Sequence, residues 1–307
     1  MKIVVIVVTY NGQKWIQKCL DSLEKCSVSN SVIVIDNNSA DFTSDIVKRN
    51  YPSVHLVETG KNVGFGKANN IGIEIAIRKK ADYIVLLNQD AWVEKTAIEK
   101  LINASIQYNQ YGVISPFHLN YEGTATEKYF SNYVLSFYTI GYSQDYEMSS
   151  LKTIYSSTFI HAACWLLPIN TIKKVGGFDP LFFHYGEDND YVQRLASNHL
   201  KIGFVPNAMF YHFGTNEGLN NTRKSFRFRV NEIVLNLKNP FASELGAILL
   251  FFKHSIKLIF TSLIKRNAKE FSFEVKVFWF NFKRLRSILK ARKLQKNGYA
   301  FLQVNTK

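Results

Sequence analysis

Four continuous apolar runs, each followed by a polar loop, restrict the first 115 residues to one kind of sheet. Residues 2–9, 31–35, 54–58 and 83–87 read as strands, and 112–115 as a further short one. Residues 13–25, 40–50, 67–79 and 94–107 read as helices. Trp15, Ile16, Cys19, Leu20 and Leu23 share one face of the first, and Ile71, Ile75 and Ala76 are the buried side of the third. Strands without polar alternation need cover on both faces, and a helix between successive strands supplies it. The expected fold class is therefore α/β, a Rossmann-like and mostly parallel sheet with helices on both faces.

Such sheets bind ligands at the carboxyl ends of their strands. Here those ends read Thr9-Tyr10-Asn11-Gly12, Asp36-Asn37-Asn38-Ser39, the run from Gly60 to Lys67, and Asn88-Gln89-Asp90. Turn chemistry accounts for one or two polar loops. Four in succession describe a rim suited to a nucleotide. A GxGxxG fingerprint is missing after the first strand, which disfavours a nicotinamide dehydrogenase.

Further along, residues 116–155 are Tyr- and Ser-rich and weakly periodic, a loop or small hairpin facing a substrate. Residues 156–167 read as a strand, 187–198 as a helix and 202–205 as a short strand. Glu187, Asp188 and Asp190 gather at the start of that helix, although the formal net charge is +14. Acidic residues in a first turn complement the helix dipole, but carboxylates after a Gly-, Pro- and aromatic-rich loop also suit a metal or a proton to be removed. Asp190 lies four residues before Arg194, a spacing for a cap or an ion pair.

Three cysteines, Cys19, Cys26 and Cys164, lack CxxC spacing, which argues against a disulfide framework or zinc site and suits a reducing compartment. The apolar N-terminus is too short for a signal peptide and reads as a buried first strand. His161 and His184 read as packing or local polar contacts, Trp92 and Trp165 as core packing or as platforms for a sugar, and Cys164 as a buried small hydrophobe. Residues 219–307 carry 19 Lys+Arg against 4 Asp+Glu, whereas residues 1–218 carry 19 against 20. The whole charge excess thus belongs to the last third of the chain, which reads as a helical basic extension (219–307) on a body (1–218).

The ordered segments VVTYNG (7–12), IDNNSADFT (35–43), KNVGFGKANNIGI (61–73), LLNQDAWV (86–93), GGFDPLFFHYGEDNDYVQRL (176–195) and HFGT (212–215) resemble the inverting GT-A glycosyltransferases of family 2, in the style of rhamnosyltransferases. That resemblance covers about residues 1–218. It implies transfer of a sugar from dTDP-rhamnose or a UDP-sugar to a hydroxyl of a lipid-linked glycan or surface-polysaccharide precursor, with Mg²⁺ or Mn²⁺ as cofactor. Asp188 matches the family's base, with Glu187 orienting acceptor or loop. Asn88-Gln89-Asp90 takes the place of the family's Asp-x-Asp turn, so Asn88 replaces one carboxylate. Asp90 and His212 are then the implied metal ligands. Donor contacts carried over are Thr9, Asn11, Asp36 and Asn38 for base and ribose, and Asn62, Gly64, Lys67 and Asn69 for base or diphosphate, with Asn88 and Gln89 near the sugar. The rival reading is a non-catalytic nucleotide-sugar-binding or scaffold protein, which Asn88 favours.

In the extension, residues 245–264 are nearly all apolar but interrupted by Lys253, His254 and Lys257. Charges at mid-helix oppose spanning a bilayer and permit an interfacial amphipathic helix whose lysines snorkel. Arg223, Lys224, Arg227, Arg229, Lys265, Arg266, Lys269 and the basic residues from Lys283 to Lys293 favour an anionic lipid surface. The expected location is the cytoplasmic face of the cell membrane, held peripherally. The alternative surfaces for this helix are the catalytic body and a second copy of the chain in a homo-oligomer. Its apolar density disfavours nucleic acid as a partner.

Overall fold

The computed structural model describes residues 1–214 and 222–304, with side chains throughout except at 222–225. Thr215 and the side chains of Arg223 and Lys224 lie outside the described residues, as does the 218/219 boundary.

The first half is the expected parallel sheet. Strands β1 (Ile3–Thr9), β2 (Ser31–Asp36), β3 (His55–Glu58) and β4 (Tyr83–Asn88) lie in the order β3-β2-β1-β4, all parallel. Helices α1 (Ile16–Glu24), α2 (Thr43–Asn50) and α3 (Phe65–Arg78) connect them. The strand repeat of two sends Ile3, Val5 and Val7 into a core with Leu20 and Leu23 of α1. Val4 and Ile6 enter the opposite core with Ala68 and Ile73 of α3. Burial on both faces is why these strands carry no polar alternation.

Beyond β4 the sheet becomes mixed. Its remaining strands are β5 (Ala91–Val93), β6 (Tyr111–Asn120), β7 (Tyr155–Ser157), β8 (Cys164–Pro168) and β9 (Lys201–His212). β8 is antiparallel to both β4 and β6, β9 is parallel to β6, and β5 and β7 are antiparallel to β9. Helices α4 (Ala97–Gln107), α5 (Tyr142–Glu147), α6 (Ile169–Val175) and α7 (Glu187–Ser197) complete the body, with a π-helical turn at Phe130–Tyr138.

Three expectations are corrected here. The short strands at 112–115 and 202–205 are ten and twelve residues long. Pro116 and Pro206 hid their continuation: the β6–β9 register steps from Pro116/Val205 to Phe117/Met209, so both prolines sit at one irregularity, where a missing N–H is tolerated. The single strand at 156–167 is two strands, β7 and β8, joined by a loop. Residues 116–155 are largely structured rather than a loop or hairpin, because Phe117, Phe130, Val134 and Tyr142 bury themselves in the second core.

The extension is three helices, α8 (Thr222–Lys238), α9 (Glu244–Ile264) and α10 (Ala268–Leu294). Side chains of Ser243 and Asn267 accept from Gly246 N and Glu270 N and so cap α9 and α10. The helices share a core of Val230, Val234, Leu237, Phe251, Val277 and Ile288, which Phe182 of the body joins. Past α10 the chain returns to the body, where Gly177 N donates to Ala300 O at 2.8 Å and Asn70 Nδ2 to Phe301 O at 3.2 Å. Gly176 has φ +84°, and a Cβ there would lie 2.2 Å from Ala300 O, so this junction requires glycine. The extension is thus docked on the body, while one face of α9 stays exposed.

Candidate active site

Parallel pairing brings the carboxyl ends of β1, β2, β3 and β4 to one edge. Gln89 ties β4 to β1: its Oε1 accepts from Thr9 Oγ1 at 2.5 Å and from Tyr10 N at 3.0 Å. Asn11 and Asn38 hold left-handed backbones, φ 50° and 69°, which asparagine tolerates. Asn11 Oδ1 accepts from Ala40 N, joining the first two loops, while Asn38 is exposed. Asp36 is buried and accepts from Ser39 Oγ and Ser39 N, which holds its carboxylate at the rim. Asn62 Oδ1 accepts from Asn37 Nδ2 and Gly64 N, so this side chain shapes the third loop. Gly64 caps α3 at φ 88°, with no room for a Cβ beside Phe183 O. Lys67 is exposed in the first turn of α3. Asn69 points inward: it is 1% exposed and its Nδ2 donates to Phe65 O, so it props the helix from inside.

Asp90 and His212 are 122 positions apart in sequence, and sheet register brings them together. Ala91 pairs with His212 across β5 and β9, which sets His212 Nε2 3.5 Å from Asp90 Oδ1. Asn88 Nδ2 also lies 3.5 Å from His212 Nε2. Burial works to raise the Asp90 pKa, but the hydrogen bond and charge of His212 outweigh it and hold the carboxyl below its usual range. His212 Nδ1 is buried without a hydrogen-bond partner among the described residues.

Two further histidines stand beside this pair, and His161 makes the ring-packing contacts expected of it, with Tyr129 and His118 as well as His212. The His161 ring centroid stands 5.9 Å from that of His212 and 4.8 Å from that of His118. Burial lowers both His118 and His161, the latter to about 3, so both are neutral at physiological pH. Ligand atoms of His118, Glu127 and His161 lie within 4.8 Å of one another, a second donor set that sequence spacing did not reveal. Trp92 stacks on Tyr211 under the Lys18 ammonium, and Trp165 is fully buried against Phe178 and Tyr191.

The acidic cluster separates by contact. Gly186, at φ 93°, opens α7 and turns its first residues toward the site. Asp188 is half-buried and accepts from the Asn189 and Ala162 amides, the second of which lies beside His161. Burial pushes its pKa up to about 6 despite those donors. Glu187 is pushed to about 8, by burial first and then by the Asp188 charge, and its Oε2 has no partner among the described residues. One of these adjacent carboxyls therefore keeps a proton at neutral pH. Asp190 turns the other way: Arg194 Nε donates to it at 2.8 Å, as the i,i+4 spacing anticipates. It also pairs with Lys238 of α8, which sequence reasoning missed. Asp188 thus approaches the Asp90–His212 pair through Ala162 and His161, and Gln89 joins the Asp90 turn to the β1 loop.

A family model, glycosyl transferase family 2, matches residues 4–175. The N-acetylglucosaminyl-diphospho-decaprenol L-rhamnosyltransferase of Mycobacterium tuberculosis is 25% identical over 232 residues, 68% of this chain and 75% of its own. Rhamnosyltransferase WbbL of Escherichia coli is 23% identical over 237 residues, 74% and 89% of the two chains. The crystal structure of S. aureus TarS 1–349 in complex with UDP-GlcNAc superposes with a TM-score of 0.57 at 16% identity, covering 96% of this chain and 82% of that one. At that identity the likeness establishes the GT-A fold.

Proposed function

The chain belongs to glycosyl transferase family 2, and from that premise we propose an inverting transfer from dTDP-rhamnose or a UDP-sugar to a hydroxyl of a lipid-linked glycan or surface-polysaccharide precursor. That it is a glycosyltransferase using a nucleotide-sugar donor follows from the family. The observation that carries the finer reading is the approach of Asp188, through Ala162 and His161, to the Asp90–His212 pair. The mycobacterial relative, named for a diphospho-decaprenol acceptor, supports the acceptor class.

Inversion needs one base opposite the leaving group and no covalent intermediate. Asp188, raised but ionised at neutral pH, takes the acceptor proton on its carboxylate. Glu187, protonated there, orients the acceptor by donating from its free carboxyl oxygen. Asp36 meets ribose hydroxyls or a pyrimidine N–H, and Lys67 meets the diphosphate at the α3 N-terminus. Asp90 and His212 suit Mg²⁺ or Mn²⁺: an ionised carboxylate faces an imidazole nitrogen at 3.5 Å, and the other imidazole nitrogen is unpartnered. When bound, the ion neutralises the diphosphate leaving group as a Lewis acid. Asn88 leaves the centre with one carboxylate fewer than the family's turn, so a bound ion would meet less negative charge from this chain. Asp90→Ala is expected to lower transfer by about 10²-fold or more and to abolish Mn²⁺-dependent thermal stabilisation by the donor. Unchanged stabilisation would remove Asp90 from the metal site.

The docked extension leaves an exposed stripe on α9, with Leu249, Ile256 and Phe260 each more than half exposed and Lys253 and Lys257 between them. Among the described residues α9 is the one helix long and apolar enough to cross a membrane by length and composition. Its lysines favour the plane of an anionic surface over a span, which supports a peripheral position at the cytoplasmic membrane face. Wild type should co-sediment with phosphatidylglycerol vesicles, and Leu249→Glu/Ile256→Glu should lose at least tenfold in that binding. Equal sedimentation of the two proteins would locate the contact elsewhere.

A further inference from the structure

A groove of about 620 Å³ runs between the loop before α7 and the docked helices, lined among others by Leu181 and Phe183 of the loop, Phe226 and Arg227 of α8, and Phe280 and Arg284 of α10. Its composition is two-part. Leucine and three phenylalanines supply an apolar wall, and two guanidiniums stand over that wall. Arg227 lies 5.0 Å from the Phe183 ring and Arg284 5.0 Å from the Phe280 ring. Arg284 Nη2 donates to Leu181 O at 3.1 Å, which fixes its direction. Among the described residues neither arginine forms an ion pair with a carboxylate, whereas Arg194 and Arg229 both do. Asp179 acts on Arg284 and Arg227 on Glu187 only from beyond ion-pair distance, so each guanidinium fork keeps donors for an incoming anion and matches phosphate oxygens.

The position of the groove is as informative as its lining. Phe183 O accepts from Phe65 N at 3.2 Å, so the loop wall touches the donor rim at Gly64–Phe65. Arg227 is close enough to Glu187 to favour its ionised form. At the other side Trp279, Phe280 and Phe282 of α10 are each at least 40% exposed, continuing the apolar surface outward beside α9. The groove therefore lies between the loop that leads to Glu187 and Asp188 and the exposed apolar face of α10.

We propose that this groove holds the phosphate-bearing end of the acceptor lipid. Arg227 and Arg284 grip the phosphate or diphosphate that joins chain to glycan, and Leu181, Phe183, Phe226 and Phe280 cover the first apolar units. The glycan end then reaches Glu187 and Asp188. This rests on the sugar-transfer reading above and adds the location and chemistry of its acceptor site. Sites for a bare anion, for an apolar chain alone or for a phospholipid headgroup are the competing occupants.

The test uses the full-length protein and farnesyl diphosphate as a soluble probe, with titration calorimetry as readout. Wild type should bind farnesyl diphosphate at least tenfold more tightly than inorganic diphosphate or farnesol. Arg227→Ala/Arg284→Ala should weaken that binding tenfold or more, and Phe280→Ser, which keeps both cations, should also weaken it. Equal affinity for inorganic diphosphate would reduce the groove to an anion site, and equal affinity for farnesol would remove the arginines from recognition. Competition by phosphatidylglycerol vesicles that matches farnesyl diphosphate would assign it to headgroups. Any of these overturns the proposal, as does unchanged binding in the arginine variant. Thermal stabilisation by dTDP-rhamnose or UDP-sugars with Mn²⁺, measured on the same samples, separates the two readings. Its absence in wild type sinks the donor assignment, whereas its presence with unaltered farnesyl diphosphate binding sinks the groove alone.

Discussion

Asp188→Asn is expected to lower sugar transfer by about 10²–10⁴-fold, the usual contribution of a positioned general base. The substitution preserves size and can still accept from the Ala162 and Asn189 amides, so the α7 N-terminus keeps its shape. The loss should fall on kcat, with donor affinity retained, because the proton is in flight only in the transition state. Wild-type activity should also fall about tenfold per pH unit below pH 6. Burial raises the Asp188 pKa to about 6, so its carboxylate, the form that accepts a proton, is present above that pH and lost below it. The groups facing it are Glu187 and the Asn189 amide on its own helix, the Tyr129 hydroxyl and the Ala162 amide. None supplies a cation to pull that limb lower. Transfer by Asp188→Asn at the wild-type rate, or an activity limb that does not move with the substitution, would place the base elsewhere.

The parts of this architecture that the amino-acid sequence reveals are those set by local period. β1, β2, β3 and β4 are buried on both faces, so their apolar runs and following helices are visible from composition alone. The rim residues Thr9, Asp36 and Asp90 follow, because parallel strands must end at one edge. What stayed hidden depends on pairing between distant segments. Pro116 and Pro206 each read as the end of a strand, and only their joint position at one irregularity shows how β6 and β9 continue past them. His161 packs as its aromatic surroundings imply, but nothing in its neighbourhood signals that the loop before β8 carries it beside His212. Asn69 sits in a motif beside Lys67, yet the helical repeat turns it inward. Asp190 had a visible partner in Arg194 and an invisible one in Lys238, 48 residues later.

That last partner gives the largest expected effect on stability. Lys238 is 0% exposed, and its ammonium pairs with both Asp179 and Asp190. Arg194 completes the cluster, donating to Asp190 and to the carbonyls of Val175 and Gly177. Lys238→Met preserves most of the volume but leaves two buried carboxylates facing each other with less compensation. Breaking a buried pair by removing one member costs about 3–5 kcal/mol. The variant should therefore unfold at markedly lower denaturant concentration at pH 7. Without the ammonium, both carboxyls gain affinity for protons in the folded state, so the folded chain binds more protons than the unfolded chain over mildly acidic pH. Stability of the variant then falls as pH rises, and its deficit relative to wild type narrows toward pH 5. Adding Asp179→Asn to Lys238→Met removes one of the stranded charges and should recover a substantial part of the loss, whereas the two substitutions would add if the cluster were not a unit. Asp179 and Asp190 flank the loop that presents Glu187 and Asp188, so Lys238 ties that loop to the basic extension. A Lys238→Met protein as stable as wild type at pH 7 would mean that the extension rests on the body through its apolar core and hydrogen bonds to backbone, without help from this ion cluster.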